Sequence, residues 1–313
     1  AASTPGPPAP LPPLVLPAAA PLVAARIDGQ PVLLTVDFGA DPLVMLNPAT
    51  VARLKLAAPN REDVERGLFR VAVGQVTVVL PYSREWLEIA GRPIPHTQVL
   101  APKVAPSGQA ASSDGVIGVG LLPHDDVQLQ FRPATRQDRA TTLDAAPGSA
   151  SNALMMRWSL PGSGRIELEL HPLRPGSVAS VAAASRLAKA GNGALTGPVR
   201  RVEVAFGVDR PVRNLHLAHP LNIAGVMLRD VDVRLFDWAG KAELPPDADA
   251  SEGDMVTGKR GRQRGWPILK LGRDVLASCA NLTWHRDPDD PPYGRITLTC
   301  PSSRQSDPLA SDR

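Results

Sequence analysis

The stretch Leu33-Leu34-Thr35-Val36-Asp37-Phe38-Gly39-Ala40-Asp41 decides the fold: an apolar, strand-like run ends in an acid, a glycine and a turn. An acid at a strand end is held by neighbouring backbone rather than by its own stem. It can therefore be ordered and partly desolvated without being entombed, which suits catalytic work; the plainer alternative is a solvated turn acid. Just upstream, residues 23–27 and 32–36 flank Asp28-Gly29-Gln30, the pattern of a hairpin whose second arm delivers Asp37. Downstream, Asn47-Pro48 predicts the start of a short helix over 48–57, because proline in a first turn forfeits no internal hydrogen bond.

Strand patterns follow at 68–73 and 76–80 around Gly74-Gln75, and the aromatics Tyr82 and Trp86 are candidates to line a cleft or to pack a core. The run Ser112-Ser113-Asp114-Gly115-Val116-Ile117-Gly118-Val119-Gly120 sets glycines inside apolar residues, which reports a bend or a close backbone approach. A second unit repeats this outline, with a strand pattern at 165–170, a Pro/Gly loop, and a helix over 181–190 capped by Ser180 and stopped by Gly191-Asn192-Gly193. Adding 133 carries Asn47 to Ser180 and Asp37 to Leu170. Adding 152 carries Ile117 to Leu269, Gly118 to Lys270 and Gly120 to Gly272.

The chain of 313 residues carries 26 Gly, 34 Pro and only 4% aromatics, which favours short strands and many turns over a helical bundle. Its net charge of +3 is mixed along the chain, so no concentrated basic face points to nucleic acid. No apolar run is long enough to cross a bilayer as a helix. The start, Ala1-Ala2-Ser3-Thr4-Pro5-Gly6-Pro7-Pro8, reads as a processed terminus. Cys279 and Cys300 are the two cysteines; a disulfide between them fits an oxidising compartment, and two separately buried thiols are the alternative. The expected organisation is a proline-rich lead (1–20), a β-rich lobe with Asp37 (21–132), a linker (133–151), a second β-rich lobe (152–300) and a polar tail (301–313). The segment 241–264, acidic and then basic, reads as a solvated loop.

Val36-Asp37-Phe38-Gly39-Ala40, followed by Asp114-Gly115-Val116-Ile117-Gly118-Val119-Gly120, resembles an aspartic peptidase lobe of the pepsin or retropepsin kind. The resemblance implies an all-β, bilobal, pepsin-like fold with short helices. It implies Asp37 as the catalytic acid, Phe38 and Gly39 as its loop, and Ile117 with Gly118 as the strand crossing that loop. Three positions depart from the family: Phe38 replaces a small hydroxyl residue, Leu170-His171-Pro172 supplies no second acid triplet, and Lys270 takes the place of the second crossing glycine. Family chemistry needs two carboxylates sharing a proton around a water, with no metal or other cofactor. Two readings follow: a peptidase acting through an Asp37-activated water, or a noncatalytic peptide-binding relative that keeps the groove.

The partner in either case is a peptide or protein, bound by a monomer in a periplasmic or secreted setting. Asp41 and His171 are candidates to complete the site, and Arg174 follows in the second loop. His216-Leu217-Ala218-His219 has the spacing of metal ligands without an evident third one, so no metal site is expected.

Overall fold

A computed structural model describes residues 9–56, 65–73, 76–102, 112–148, 152–235 and 267–302. The first half runs β1 (Leu14–Pro17), β2 (Leu22–Ile27), β3 (Gln30–Asp37), β4 (Val44–Leu46), α1 (Pro48–Arg53), β5 (Arg66–Val73), β6 (Val76–Ile89), β7 (Arg92–Leu100), β8 (Gly115–Gly118) and β9 (Asp126–Gln130). After β10 (Asp138–Pro147) come β11 (Leu154–Leu160), β12 (Gly164–Leu170), β13 (Val178–Ala179), α2 (Val181–Gly191), β14 (Gly193–Ala205), β15 (Val208–Ile223), β16 (Val226–Arg234) and β17 (Ile268–Leu271). The chain closes with α3 (Arg273–Leu276), β18 (Asn281–Arg286) and β19 (Gly294–Pro301). The protein is all-β with few, short helices.

Four hairpins share one local cause. Asp28-Gly29, Ala90-Gly91, Phe206-Gly207 and Ala224-Gly225 are two-residue turns in which both residues have positive φ. That backbone twist matches the right-handed twist of the flanking strands, and glycine second in the turn meets it without steric cost.

The strands form a seven-stranded sheet ordered β2-β3-β8-β4-β7-β6-β5 and a twelve-stranded sheet ordered β1-β9-β18-β19-β10-β11-β12-β17-β13-β16-β15-β14. In the smaller sheet β2 also pairs with β6, so six strands close into a barrel and β5 extends from it. Ile27, Leu34, Val36, Leu46, Leu87, Ile89 and Ile117 are essentially inaccessible and pack into one continuous core with strands of the larger sheet. Within the larger sheet α2 buries Val181, Ala183, Ala184 and Leu187. Its first turn is capped by the Ser180 hydroxyl, which accepts from the Ala183 amide at 3.2 Å, and Asn192 ends it in the left-handed conformation. Asn47 flanks α1 without capping it, because its side-chain amide donates instead to the Ser113 carbonyl at 2.5 Å.

Two expected boundaries are corrected. Part of the proline-rich lead is sheet: β1 lies parallel to β9, with Leu16 buried opposite Leu129. The interval 133–151, read as a linker, contains β10, which is hydrogen-bonded to β19 and β11 inside the larger sheet. Prolines around β1 and polar residues along β10 concealed them, and each is completed by a distant strand, β9 for β1 and β19 for β10. Strand β9, assigned to the first lobe, pairs antiparallel with β18 of the second, Gln128 opposite Thr283. The segment 241–264 and the tail from 303 lie outside the described residues.

Cys279 and Cys300 form a disulfide, both sulfurs in fully buried residues, which is consistent with an extracytoplasmic protein. No helix among the described residues is long and apolar enough to cross a membrane.

Candidate functional site

Strand β3 delivers Asp37 to the mouth of the barrel. It runs parallel to β8, with Val36 opposite Ile117 and Asp37 opposite Gly118. Strand β4 returns antiparallel on the other side of β8, Val44 opposite Ile117 and Leu46 opposite Gly115. Gly118 is required here because a Cβ would sit 2.0 Å from the Asp41 carbonyl oxygen. Asp37 is half-buried, and its Oδ1 accepts from the Gly39 amide at 3.0 Å. Phe38, where the resemblance expects a small hydroxyl, is a core residue only 1% exposed.

The same three-strand arrangement recurs in β12, β17 and β13. Strand β12 is parallel to β17, with Leu168 opposite Leu269 and Leu170 opposite Leu271, and β13 is antiparallel to β17, with Ala179 opposite Leu269. The helices fix the correspondence. Leu46 immediately precedes the α1 cap residue, as Ala179 precedes that of α2, and their crossing-strand partners are Gly115 and Leu269, an offset of 154 (269 less 115). The partners of those residues on the acid-bearing strands are Leu34 and Leu168, an offset of 134 (168 less 34).

The sequence offset of 152 is thus two short. Gly118 corresponds to Gly272, not Lys270, and Asp37 corresponds to His171, not Leu170. Three further features agree. The Asn47 amide donates to the Asp114 carbonyl as the Ser180 amide donates to that of Ile268. A Cβ on Gly272 would sit 2.4 Å from the Gly176 backbone, as one on Gly118 would meet Asp41. Both glycines lead directly into a helical turn, Val119–Leu121 in the first case and α3 in the second. Gly272 is therefore the counterpart of Gly118, and His171 is the counterpart of Asp37.

The two loops touch. A Cβ on Gly39 would stand 2.2 Å from His171 Nδ1, so the imidazole lies against the backbone of the acid loop. At its other nitrogen, His171 Nε2 donates to Glu169 Oε2 at 2.9 Å. That oxygen also receives Lys270 Nζ at 2.8 Å, across the β12–β17 pair in which Glu169 faces Lys270. Burial alone would raise the Glu169 pKa, but the Lys270 charge and the His171 hydrogen bond override it and hold the carboxyl well below the usual range. Burial, reinforced by Lys270, pushes His171 below its ordinary value despite Glu169 and Asp37. The stable arrangement is an ionised Glu169 between an ammonium and a neutral imidazole.

Asp41 completes the interior of the cluster. Burial raises its pKa against the Asn152 and Ala153 amides that favour its anion, and Glu169 raises it further. Its Oδ1 is buried without a hydrogen-bond partner. Arg174 lies beside the acid loop closely enough to feel Asp37, although burial lowers its pKa, and its guanidinium donates to the carbonyls of Val204 at 2.7 Å and Glu203 at 2.9 Å.

The site thus brings together Asp37, Gly39, Gly118, Asp41, His171 and Arg174, and it adds Glu169 and Lys270, which sequence reasoning missed as partners of the acid loop. Ile117 and Leu170 are buried behind it, with Pro172 just past His171. Tyr82 packs beside Leu43, Leu80 and Leu100, whereas Trp86 is 52% exposed on β6. His216 pairs with Asp230 at 2.9 Å, and no group of three or more His, Cys, Asp or Glu side chains suited to a metal occurs among the described residues. No protein-family model and no curated protein matches this chain.

Proposed function

We propose that this chain is a noncatalytic relative of the aspartic peptidases, periplasmic or secreted, that binds an extended polypeptide segment alongside Asp37. One observation carries the reading: the position corresponding to Asp37 in the second unit is His171, neutral and tied to Glu169. Peptide hydrolysis by this route needs two carboxyls that share a proton around one water. A neutral imidazole has no proton to share with Asp37 in that manner, and the ionised Glu169 is committed to Lys270 and His171. Asp37 remains half-exposed at a strand end and is able to accept a hydrogen bond from a polypeptide amide or a charged side chain. Extended segments bind such β-rich surfaces through backbone hydrogen bonds, with side-chain pockets setting preference.

A second reading, hydrolysis through an Asp37-activated water, is favoured by one feature. Glu169 fixes His171 with Nε2 as the donor, leaving Nδ1 as an acceptor against the acid loop. The binding proposal is tested by titrating the wild type and Asp37→Asn, each checked for folding, against an immobilised peptide library. Saturable binding weakened by the substitution supports it. Absence of binding to folded wild type sinks it.

A further inference from the structure

One turn departs from its three counterparts. Phe206-Gly207 joins β14 to β15 as a two-residue turn, and Phe206 has φ 51°. The corresponding positions in the other turns are Asp28, Ala90 and Ala224, which are polar or small. A bulky aromatic is a poor choice for left-handed backbone, where Asn, Asp and Gly are preferred. Phe206 is partly buried and packs against the small core cluster of Leu43, Leu80 and Leu100, as do Met45, Phe69, Val78 and Tyr82, all of them from the first half of the chain. Leu43 is two residues past Asp41 in the acid loop, and Phe69 and Val78 belong to the β5–β6 hairpin. Phe206 therefore packs on an apolar cluster whose members come from the flank of the acid loop and from that hairpin.

Two arginines hold it there. Arg174, beside Asp37, grips the Glu203 and Val204 carbonyls on β14, and Arg210 on β15 donates to the Val73 carbonyl at the end of β5 at 2.5 Å. Each of these fastenings is a side chain on a backbone carbonyl, reversible and without covalent cost to release.

We propose that the β14–β15 turn is a built-in occupant of the binding site: Phe206 stands where an extended polypeptide inserts an aromatic or large apolar side chain, and binding displaces the turn. This rests on the polypeptide-binding reading and adds to it both a side-chain preference and an autoinhibitory contact. The preference follows from the cluster's lining, which is aliphatic and aromatic apart from the Tyr82 hydroxyl.

Phe206→Asn tests it, since Asn suits the left-handed turn while removing the ring. The probes are a blocked nonapeptide of alternating Thr and Val with a central Phe, and its central-Ser analogue. The variant should bind the Phe peptide about fivefold or more tightly than wild type, because a closed form no longer competes. The Ser peptide should gain nothing, and Phe206→Leu, which keeps an apolar plug, should stay near wild type. In wild type, the Phe peptide should speed amide hydrogen exchange at Gly207, whose N–H donates to Glu203 Oε1 at 3.1 Å. Folded Phe206→Asn that binds the Phe peptide no more tightly than wild type overturns the inference. If Asp37-dependent peptide binding persists in that case, the polypeptide-binding reading stands and only the plug falls; if no peptide binds either protein, both fall.

Discussion

Glu169→Gln should destabilise the protein by about 2–3 kcal/mol at pH 7, because it leaves the Lys270 ammonium uncompensated in a largely buried place. The Glu169 side chain is 5% exposed, that of Lys270 is 28% exposed, and their charged atoms are 2.8 Å apart. Removing one partner of a fully buried pair costs roughly 3–5 kcal/mol. The estimate sits below that range because Lys270 keeps some water and Gln still accepts from His171 Nε2. Urea unfolding of wild type, Glu169→Gln, Lys270→Met and the double variant forms the cycle. Lys270→Met should cost at least as much, since it strands the buried Glu169 carboxylate, and the double variant should lose much less than the sum of the two.

The pH dependence has a fixed sign. The Glu169 pKa is depressed in the folded state, so its contribution is present above the unfolded value near 4.5 and is lost as the pH falls below it. The gap between wild type and Glu169→Gln should therefore narrow between pH 6 and pH 3. A cost under about 0.5 kcal/mol at pH 7, or a gap indifferent to pH, would refute the assignment of this triad as an internally neutralised unit.

Gly39→Ala should cost about 2 kcal/mol, because its Cβ would enter the His171 ring at 2.2 Å, and pairing it with His171→Gly should recover most of that loss in thermal unfolding. Asp41→Asn should stabilise the protein at pH 8 and not near pH 3. Burial raises the Asp41 pKa, so stability held by its protonated form is lost as the pH rises through the folded value, and chemical denaturation at the two pH values reads the difference. The Cys279–Cys300 bond, 21 residues apart, should contribute about 3 kcal/mol by restricting the unfolded chain, measured as the shift in urea midpoint of Cys279→Ala/Cys300→Ala. Thiol labelling of unfolded, unreduced protein should find neither cysteine free.

Local chemistry made much of the fold legible. Asp28-Gly29 marked its hairpin, Ser180 its helix, and the glycines at 115 and 118 a strand pressed between two others. What sequence arithmetic missed were distances set by tertiary pairing. The crossing strands are reached through connections of different length, so the two units need offsets of 134 and 154 in different places. A single linear shift misplaces the acid position by one residue, and one residue in a strand exchanges the buried face for the other. That slip set Leu170 opposite Asp37 and left His171 a candidate to complete the site rather than the counterpart of Asp37. Glu169 and Lys270 were missed for a related reason. Alternating acids on β12 have the same pattern whether their face meets water or a buried lysine, and only the parallel pairing of β12 with β17 distinguishes the two. Strand β1 is a short apolar run among prolines and β10 is largely polar, and both become sheet through partners far along the chain.

The most direct test of a binding site without peptidase chemistry is a cleavage measurement on the wild type itself. Folded protein is incubated from pH 3 to pH 8 with an equimolar, diverse peptide library, and fragments are read by mass spectrometry beside an Asp37→Asn control. With a histidine, His171, at the position that corresponds to Asp37, the proposed function predicts intact peptides at every pH, from a protein that binds them saturably. Fragments that appear with wild type and vanish with Asp37→Asn would contradict it.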